Sequence, residues 1–170
     1  MLNNFSHLFV QNNESKELLD RIGLEDRSTV AGDTRFDRVL EAVQQWKPVH
    51  HVDDFCADQF VMVAGSTWPQ DETILSEFIN NHWNNQKLII APHEIKPENI
   101  TRLKGLFSDS ILFSEISSSQ SPVNSYRVLI IDNIGYLSRL YKYASVCYVG
   151  GGFNKSGHHN ILEAAVYGKP

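Results

Sequence analysis

The chain has 170 residues, of which 42% are hydrophobic and 21% are charged, and its formal net charge is −5 at pH 7. This length has room for one domain and a short additional segment, and the composition is ordinary for a globular protein. The negative charge and the lack of a Lys/Arg run argue against nucleic-acid binding, and no apolar run approaches the roughly 18 residues of a membrane-spanning helix.

The first 50 residues contain few regular elements. The pattern predicts a short strand at residues 8–10, a helix from Ser15 to Ile22 that ends at Gly23, and a second helix from about Thr34 to Trp46. We expect residues 1–50 to form a linking segment and residues 51–170 to form a separate domain.

A regular alternation of strands and helices begins after residue 59. The predicted strands are apolar and are separated by helical segments: residues 60–64, 87–91, 111–113, 127–131 and 145–149. This order is typical of βαβ units, which form a mostly parallel sheet covered by helices on both faces. The sequence therefore predicts a Rossmann-like α/β fold with three α/β/α layers.

Start signals and apolar spacing define the helices between these strands. Ser66 or Thr67 can cap a helix that has Pro69 in its first turn, a second helix begins at Pro97, and a third covers residues 136–143. The serine-rich residues 114–125 are expected to form a surface loop.

The last predicted helix, at residues 160–167, ends at Gly168. Lys169 and Pro170 would normally lead into another strand. We therefore expect the chain to be a fragment whose sheet lacks one or more strands at its C-terminal end.

Residues 149–163 form the most informative segment of the sequence. A predicted strand runs into Gly150, Gly151 and Gly152, and then into a polar loop and an apolar-periodic helix. Glycines let a backbone approach a ligand closely, and a helix N-terminus favours a phosphate. Asn160 and Glu163 are three residues apart and can reach the same ligand. The segment thus indicates a nucleotide or sugar-phosphate site.

Other interpretations of this segment fit less well. The third glycine of the dinucleotide fingerprint is missing, as is the Gly-Lys-Ser/Thr ending of a P-loop, which disfavours nicotinamide and ATPase functions. A simple tight turn would not account for Asn160 and Glu163 directly after the loop.

Ligands of open parallel sheets bind beyond the carboxyl ends of the strands. Four polar loops fall there in the predicted sheet: residues 65–68, 92–94, 132–135 and 150–159. We expect these loops to form one site.

Metal ligands and covalent chemistry are less well supported. His50, His51, Asp53 and Asp54 are adjacent in sequence, and a solvated linker explains them better than a metal site does. His93, at a strand end, is either a functional or a packing histidine. No metal and no cofactor are expected, and no pairing of a nucleophile with a base is found. The distant Cys56 and Cys147 are expected to be reduced thiols of a cytoplasmic protein.

These segments, in this order, resemble one enzyme family. Gly65-Ser66-Thr67-Trp68, Pro92-His93-Glu94, Asp132-Asn133-Ile134-Gly135 and residues 150–170 are similar to the C-terminal half of 3-deoxy-D-manno-octulosonic acid (Kdo) transferases. Residues 31–37 are similar to the interdomain segment of that family. The resemblance covers about residues 30–170.

The resemblance implies the two-domain GT-B fold and an inverting transfer of Kdo from CMP-Kdo to a lipid A precursor. This reaction belongs to lipopolysaccharide assembly, at the cytoplasmic face of the bacterial inner membrane. The C-terminal domain of such enzymes holds the donor nucleotide. The acceptor site and the general base lie in the N-terminal domain, so no catalytic residue is assigned in this chain, and membrane contact is expected only through the full-length protein.

The resemblance also implies a set of donor-binding residues. Ser66 and Thr67 are expected to contact the phosphate or the sugar, and Pro92 and His93 are expected to contact the cytidine. The backbone of Ile134 and Gly135 is expected to contact the nucleotide. The phosphate and ribose are expected to contact Gly151, Gly152, Lys155, His159, Asn160 and Glu163.

The sequence departs from the family pattern at two places. Tyr136 stands where the family commonly has a carboxylate, and residues 92–96 replace an Arg-His-Pro-Glu run, so that Lys96 or Lys155 would have to supply the basic contact. Two alternatives remain open, namely a related GT-B enzyme with a UDP-sugar donor (transferase or epimerase) and a non-enzymatic module used for protein contacts.

Overall fold

The structure is a computed structural model that describes residues 2–153 and 161–170. The chain folds into two compact units, Met1–Glu41 and Ala42–Pro170. The assignment of residues 1–50 as a linking segment stays a prediction.

The first unit contains a small parallel sheet. Strand β1 (Leu8–Val10) confirms the predicted strand and pairs in parallel with β2 (Ser28–Val30), which the sequence analysis missed. Helix α1 (Asn13–Asp20) starts and ends two residues earlier than predicted, because the Asn12 side chain caps it by accepting the Ser15 N–H at 2.8 Å. Helix α2 (Thr34–Gln44) begins at the predicted residue and ends two residues before Trp46.

The second unit is built on a five-stranded sheet with the order β5-β6-β4-β3-β7, and every pairing in it is parallel. The strands are β3 (Val61–Thr67), β4 (Lys87–Pro92), β5 (Ser110–Leu112), β6 (Val128–Ile130) and β7 (Val146–Val149). All five predicted strands are present, with shifted ends.

Helices cover both faces of this sheet. The remaining helices are α3 (Val52–Cys56), α4 (Pro69–His82), α5 (Pro97–Leu106), α6 (Leu137–Leu140) and α7 (Leu162–Ala165). One core cluster joins Leu88 and Ile90 to α4 and α5, and a second joins Ile89 to α3, α6 and α7. Because successive strand residues face opposite sides, this division confirms the three-layer α/β/α prediction.

Two segments expected to be irregular are ordered elements. Residues 50–54 were interpreted as a solvated linker, but α3 begins there, and Val52 and Phe55 are fully buried. Residues 114–125 were predicted to be a surface loop, and most of them form 3₁₀ helices at Phe113–Ser118 and Val123–Ser125, with Ile116 buried in the core.

The helix predicted at residues 136–143 is present as α6 followed by a 3₁₀ turn, Tyr141–Tyr143. The beginning of the last predicted helix lies outside the described residues, which contain its later part as α7. At the end of the chain, the Pro170 carbonyl accepts a hydrogen bond from the Cys147 N–H at 2.8 Å. No helix within residues 2–153 and 161–170 combines the length and apolar character needed to cross a bilayer.

Both cysteines of the second unit are free thiols. Burial raises the pKa of Cys56 to about 12, with a further rise from the charge of Asp53, and burial also raises the pKa of Cys147. Since the thiolate is the reactive form, we expect alkylation of both thiols in the native protein at pH 8 to be about tenfold or more slower than in the urea-unfolded chain. Mass spectrometry of the alkylated peptides measures each rate, and equal native and unfolded rates for Cys56 would contradict its burial.

Candidate functional site

The carboxyl ends of β3, β4, β6 and β7 lie along one edge of the sheet, because the strands are parallel neighbours. From β3 the chain moves to β4 on one side, and it returns later to β7 on the other side. This reversal places the topological switch point of the sheet between β3 and β7, where open α/β sheets hold their ligands. The residues after β3 and the glycines after β7 meet there.

A cavity of about 200 Å³ opens on this edge. Five of the predicted site residues line it, and they come from three separate loops: Ser66, Pro92, His93, Ile134 and Gly135. Apolar side chains, including Ile131 and Leu137, form further parts of its wall. Pockets for drug-sized ligands occupy about 300–1,000 Å³, so this space suits one part of a nucleotide, such as a base.

Ser66 reaches the cavity because β3 contains an irregularity at its end. The pairing register with β4 shifts between Gly65 and Thr67, and Ser66 has a φ of +52°. Positive φ is uncommon for a residue with a side chain, and bulges of this kind redirect side chains near functional sites. Ser66 or Thr67 was predicted to cap α4, and this prediction is wrong, because the N-cap residue is Trp68, whose backbone N–H donates to Asp71 at 2.8 Å.

His93 lies at the rim of the cavity and is held on two sides. The imidazole stacks on the Trp68 indole with 4.5 Å between ring centroids, and the backbone N–H of His93 donates to the Thr67 carbonyl at 2.9 Å. Both contacts join the end of β3 to the end of β4. His93 is exposed, so it is not a core packing histidine.

The loop after β6 is anchored to the 3₁₀ helix that follows the neighbouring strand, β5. Asp132 accepts hydrogen bonds from the backbone N–H of Ser114, at 3.1 Å, and from its hydroxyl. Beyond this anchor, Ile134 is 84% exposed and Gly135 has a φ of +91°. Tyr136, which occupies the position of the family's carboxylate, packs against Phe113 and below the Arg139 guanidinium.

The glycine loop is fixed by a buried carboxylate that the sequence analysis did not single out. Asp71 is fully buried, and its oxygens accept hydrogen bonds from the Gly151 N–H at 3.1 Å, the Trp68 N–H at 2.8 Å and the Tyr148 hydroxyl at 2.7 Å. Burial and the bond to Asp71 raise the pKa of Tyr148. The N–H of Gly151 is therefore used within the protein.

Glu163 lies half-buried on α7, close to two tyrosines. Burial raises the pKa of Tyr141, with smaller contributions from Cys147 and then from the Glu163 charge, and burial followed by the Glu163 charge raises the pKa of Tyr167. The Tyr141 hydroxyl lies directly over Gly65, since a Cβ built on that glycine would be 2.1 Å from it.

The remaining predicted site residues are not brought into the 200 Å³ cavity. Thr67 is buried and lines a second cavity, and Gly152 is exposed beyond Gly151. Lys155, His159 and Asn160 lie outside the described residues. In the part of the chain that is described, no group of three or more His, Cys, Asp or Glu side chains could hold a metal ion, and His50 and His51 stack on each other with centroids 3.7 Å apart.

The curated proteins similar to this chain include several Kdo transferases. No family model matches the sequence. The 3-deoxy-D-manno-octulosonic acid transferase of Rickettsia prowazekii is 29% identical over 174 residues, which cover 98% of this chain and 36% of that protein. The enzyme of the same name from Chlamydophila psittaci is 30% identical over 114 residues, covering 66% of this chain and 26% of that protein. The chain thus spans about a third of the length of the curated relatives that it matches.

A solved structure has the same fold. The C-terminal CMP-Kdo binding domain of WaaA from Acinetobacter baumannii superposes with a TM-score of 0.54 and 24% identity, covering 79% of this chain and 67% of that one. This likeness confirms the expectation of a Rossmann-like domain of the kind found in the C-terminal half of GT-B enzymes.

Proposed function

We propose, from the premise that this chain is a relative of the Kdo transferases, that it carries the donor-binding part of such an enzyme. The reaction would be the transfer of Kdo from CMP-Kdo to a lipid A precursor, with inversion at the anomeric carbon. One observation supports the proposal most strongly: loops after β3, β4 and β6 converge on one cavity at the sheet edge where nucleotides bind.

The proposed contacts follow the geometry of that edge. The cavity between His93, Pro92 and Gly135 would take the cytosine base, and Ser66 would face the phosphate or the sugar. Glu163 would bind ribose hydroxyls together with Asn160, and the phosphate would lie against Gly152, Lys155 and His159. As the glycosidic bond breaks, negative charge builds on the departing CMP, and prearranged hydrogen-bond donors would stabilise it.

Under this proposal the general base would lie in the N-terminal domain of the whole enzyme, and no residue of this chain would act as the catalytic base. The proposal therefore predicts nucleotide binding without turnover. The acceptor, the inner-membrane location and the number of Kdo units transferred are properties that the whole protein would determine. A related GT-B enzyme with a UDP-sugar donor is the alternative. It would bind the nucleobase uracil in place of cytosine.

Calorimetric titration with CMP and UMP tests the proposal. We expect CMP to bind more tightly than UMP, and Glu163→Ala to lower the CMP affinity about tenfold or more, because a charged acceptor for ribose hydroxyls is lost. Glu115→Ala is the matched control, since Glu115 pairs with Lys104 beside β5, at the opposite end of the strand order from β7. Equal affinity for CMP and UMP would contradict a cytidine donor, and binding of neither would contradict the donor function.

A further inference from the structure

A second, smaller cavity lies beside the first on the same edge of the sheet. Its volume is about 90 Å³, and it shares Pro92 with the larger cavity. Polar side chains from the ends of β3 and β4 and from α4 and α5 form part of its lining: Thr67, Glu72, Glu94, Asn99 and Arg102. Trp68, Pro69 and Pro92 form the apolar part. A water molecule needs about 10–15 Å³ of such space, so the cavity has room for a charged group of a few atoms.

A buried carboxylate sets the geometry of this cavity. Glu72 is 1% exposed and accepts hydrogen bonds from the Thr67 hydroxyl, at 3.0 Å, and from the Arg102 guanidinium. Thr67 is itself buried in the strand. A buried carboxylate of this kind needs both a cation and a further donor. Since Glu72 is fixed by α4 and by the Thr67 hydroxyl, it holds the guanidinium in one place.

Arg102 retains donors for a ligand. A guanidinium carries five N–H groups. Among the described residues, the Arg102 guanidinium donates to Glu72. The Arg102 side chain is one-third exposed, whereas Glu72 behind it is buried. The guanidinium is thus anchored by Glu72, and the partly exposed side chain that carries it lines the cavity.

The other charges around the cavity are already paired. Both Glu94 oxygens accept from the Lys96 ammonium at 3.2 Å, and the Asn99 amide also donates to Glu94. The Lys96 charge therefore compensates Glu94 and is engaged there. Helix α5 also begins beside this cavity, and the positive end of its dipole favours an anion. The first turn of α4 already carries the buried carboxylates Asp71 and Glu72.

We propose that Arg102 is a ligand-binding residue that takes an anionic group of the donor, and this proposal rests on the donor-binding function above. The guanidinium is matched to planar or tetrahedral oxyanions, which it can bind through two parallel N–H groups. Two parts of a sugar-acid nucleotide carry such a group: the phosphate ester and the sugar carboxylate. Arg102 would supply the basic contact that the sequence led us to expect from Lys96 or Lys155.

Titration of Arg102→Gln with CMP, cytidine and free Kdo separates the two sources. If the phosphate is bound, the variant loses about tenfold or more in affinity for CMP and nothing for cytidine. If the sugar carboxylate is bound, the loss appears for Kdo, and CMP is unaffected. Arg102→Lys should recover part of the loss, because it keeps the charge but not the two-point geometry.

Two further variants protect the test from misfolding. Arg102→Gln leaves Glu72 buried without its cation, so Glu72→Gln/Arg102→Gln is measured beside it, since this pair removes both charges together. Lys104→Gln is the control on the same helix, because Lys104 pairs with Glu115 on the exposed surface. The proposal predicts the same ligand loss in the single and double Arg102 variants and none in Lys104→Gln.

The outcomes distinguish this proposal from the donor-binding function. If the wild-type protein binds CMP, and folded Arg102 variants bind CMP and Kdo as tightly as the wild type does, the role of Arg102 is overturned. The donor-binding function is then unaffected. Wild-type protein that binds neither CMP nor Kdo overturns both.

Discussion

Replacement of Asp71 by leucine is expected to lower the free energy of unfolding by about 3–5 kcal/mol. Three donors, the N–H groups of Trp68 and Gly151 and the Tyr148 hydroxyl, would lose a charged acceptor inside the protein. Hydrogen bonds to charged groups contribute about 1.5–3 kcal/mol each, and these three losses overlap because they share one carboxylate. Urea denaturation monitored by circular dichroism measures the change.

Two further variants show whether hydrogen bonding or burial is responsible. Asp71→Asn can keep one oxygen on the two N–H groups and donate its amide to the Tyr148 oxygen, so a loss of about 1 kcal/mol is expected. Glu77→Leu, on the exposed face of the same helix, should change stability by about 0.5 kcal/mol or less. An Asp71→Leu variant as stable as Glu77→Leu would show that the carboxylate does not hold the glycine loop.

The functional consequence of Asp71 concerns the order of the loop. Asp71 joins the first turn of α4 to the residues after β7, so the two sides of the switch point are fixed relative to each other. Residues that bind the nucleotide-sugar donor have to be held close to their binding positions to contribute affinity. In Asp71→Leu, we therefore expect CMP affinity to fall even under conditions where the protein remains folded.

The sheet could be predicted from the sequence because its strands are apolar on both faces. Residues 128–131 have no polar alternation, and the structure buries them between two helical layers. β2 gave no such signal, since Ser28-Thr29-Val30 is short and two of its three residues are exposed. α3 was missed for a similar reason. Its fully buried residues are only Val52 and Phe55, and the neighbouring histidines and aspartates suggested a solvated segment.

The position of the site could also be predicted, because carboxyl ends of parallel strands share an edge. The residues that hold the site together could not be predicted in the same way. Asp71 and Glu72 lie in the first turn of α4, where an acidic residue is ordinarily explained by the helix dipole, yet both are buried. A signal was present in the spacing, since the buried positions of α4 are 71, 72, 75, 76 and 79, one helical face in which two members are acids. Carboxylates on an inward face indicate buried partners.

The glycines after β7 had one predicted reason, which was the close approach of a ligand. The structure supplies another reason for Gly150. A Cβ on this residue would lie 2.5 Å from the Ser66 carbonyl oxygen, 2.7 Å from the Thr67 Cα and 2.9 Å from an Asp71 oxygen. The irregular end of β3 therefore already occupies the space that a side chain at position 150 would need.

Gly150→Ala is accordingly expected to destabilise the protein by about 1–3 kcal/mol. The two nearest obstacles are backbone atoms, and the hydrogen bond from the Gly150 N–H to the Gly65 carbonyl, at 2.9 Å, holds the strands together. Relief would require the Ser66 bulge to move, so CMP affinity should fall with stability. Urea denaturation and calorimetric titration of the same samples measure both effects.

Gly105→Ala provides a control with the opposite expected sign. Gly105 lies within α5, and no atom lies within 4 Å of a Cβ built there. Alanine in a helix interior is favoured over glycine by about 0.5–1 kcal/mol, so this variant should be more stable and should bind CMP unchanged. If Gly150→Ala matched Gly105→Ala in both measurements, the contact of the glycine loop with β3 would be looser than the structure shows. The requirement for glycine at position 150 would then be set by the ligand.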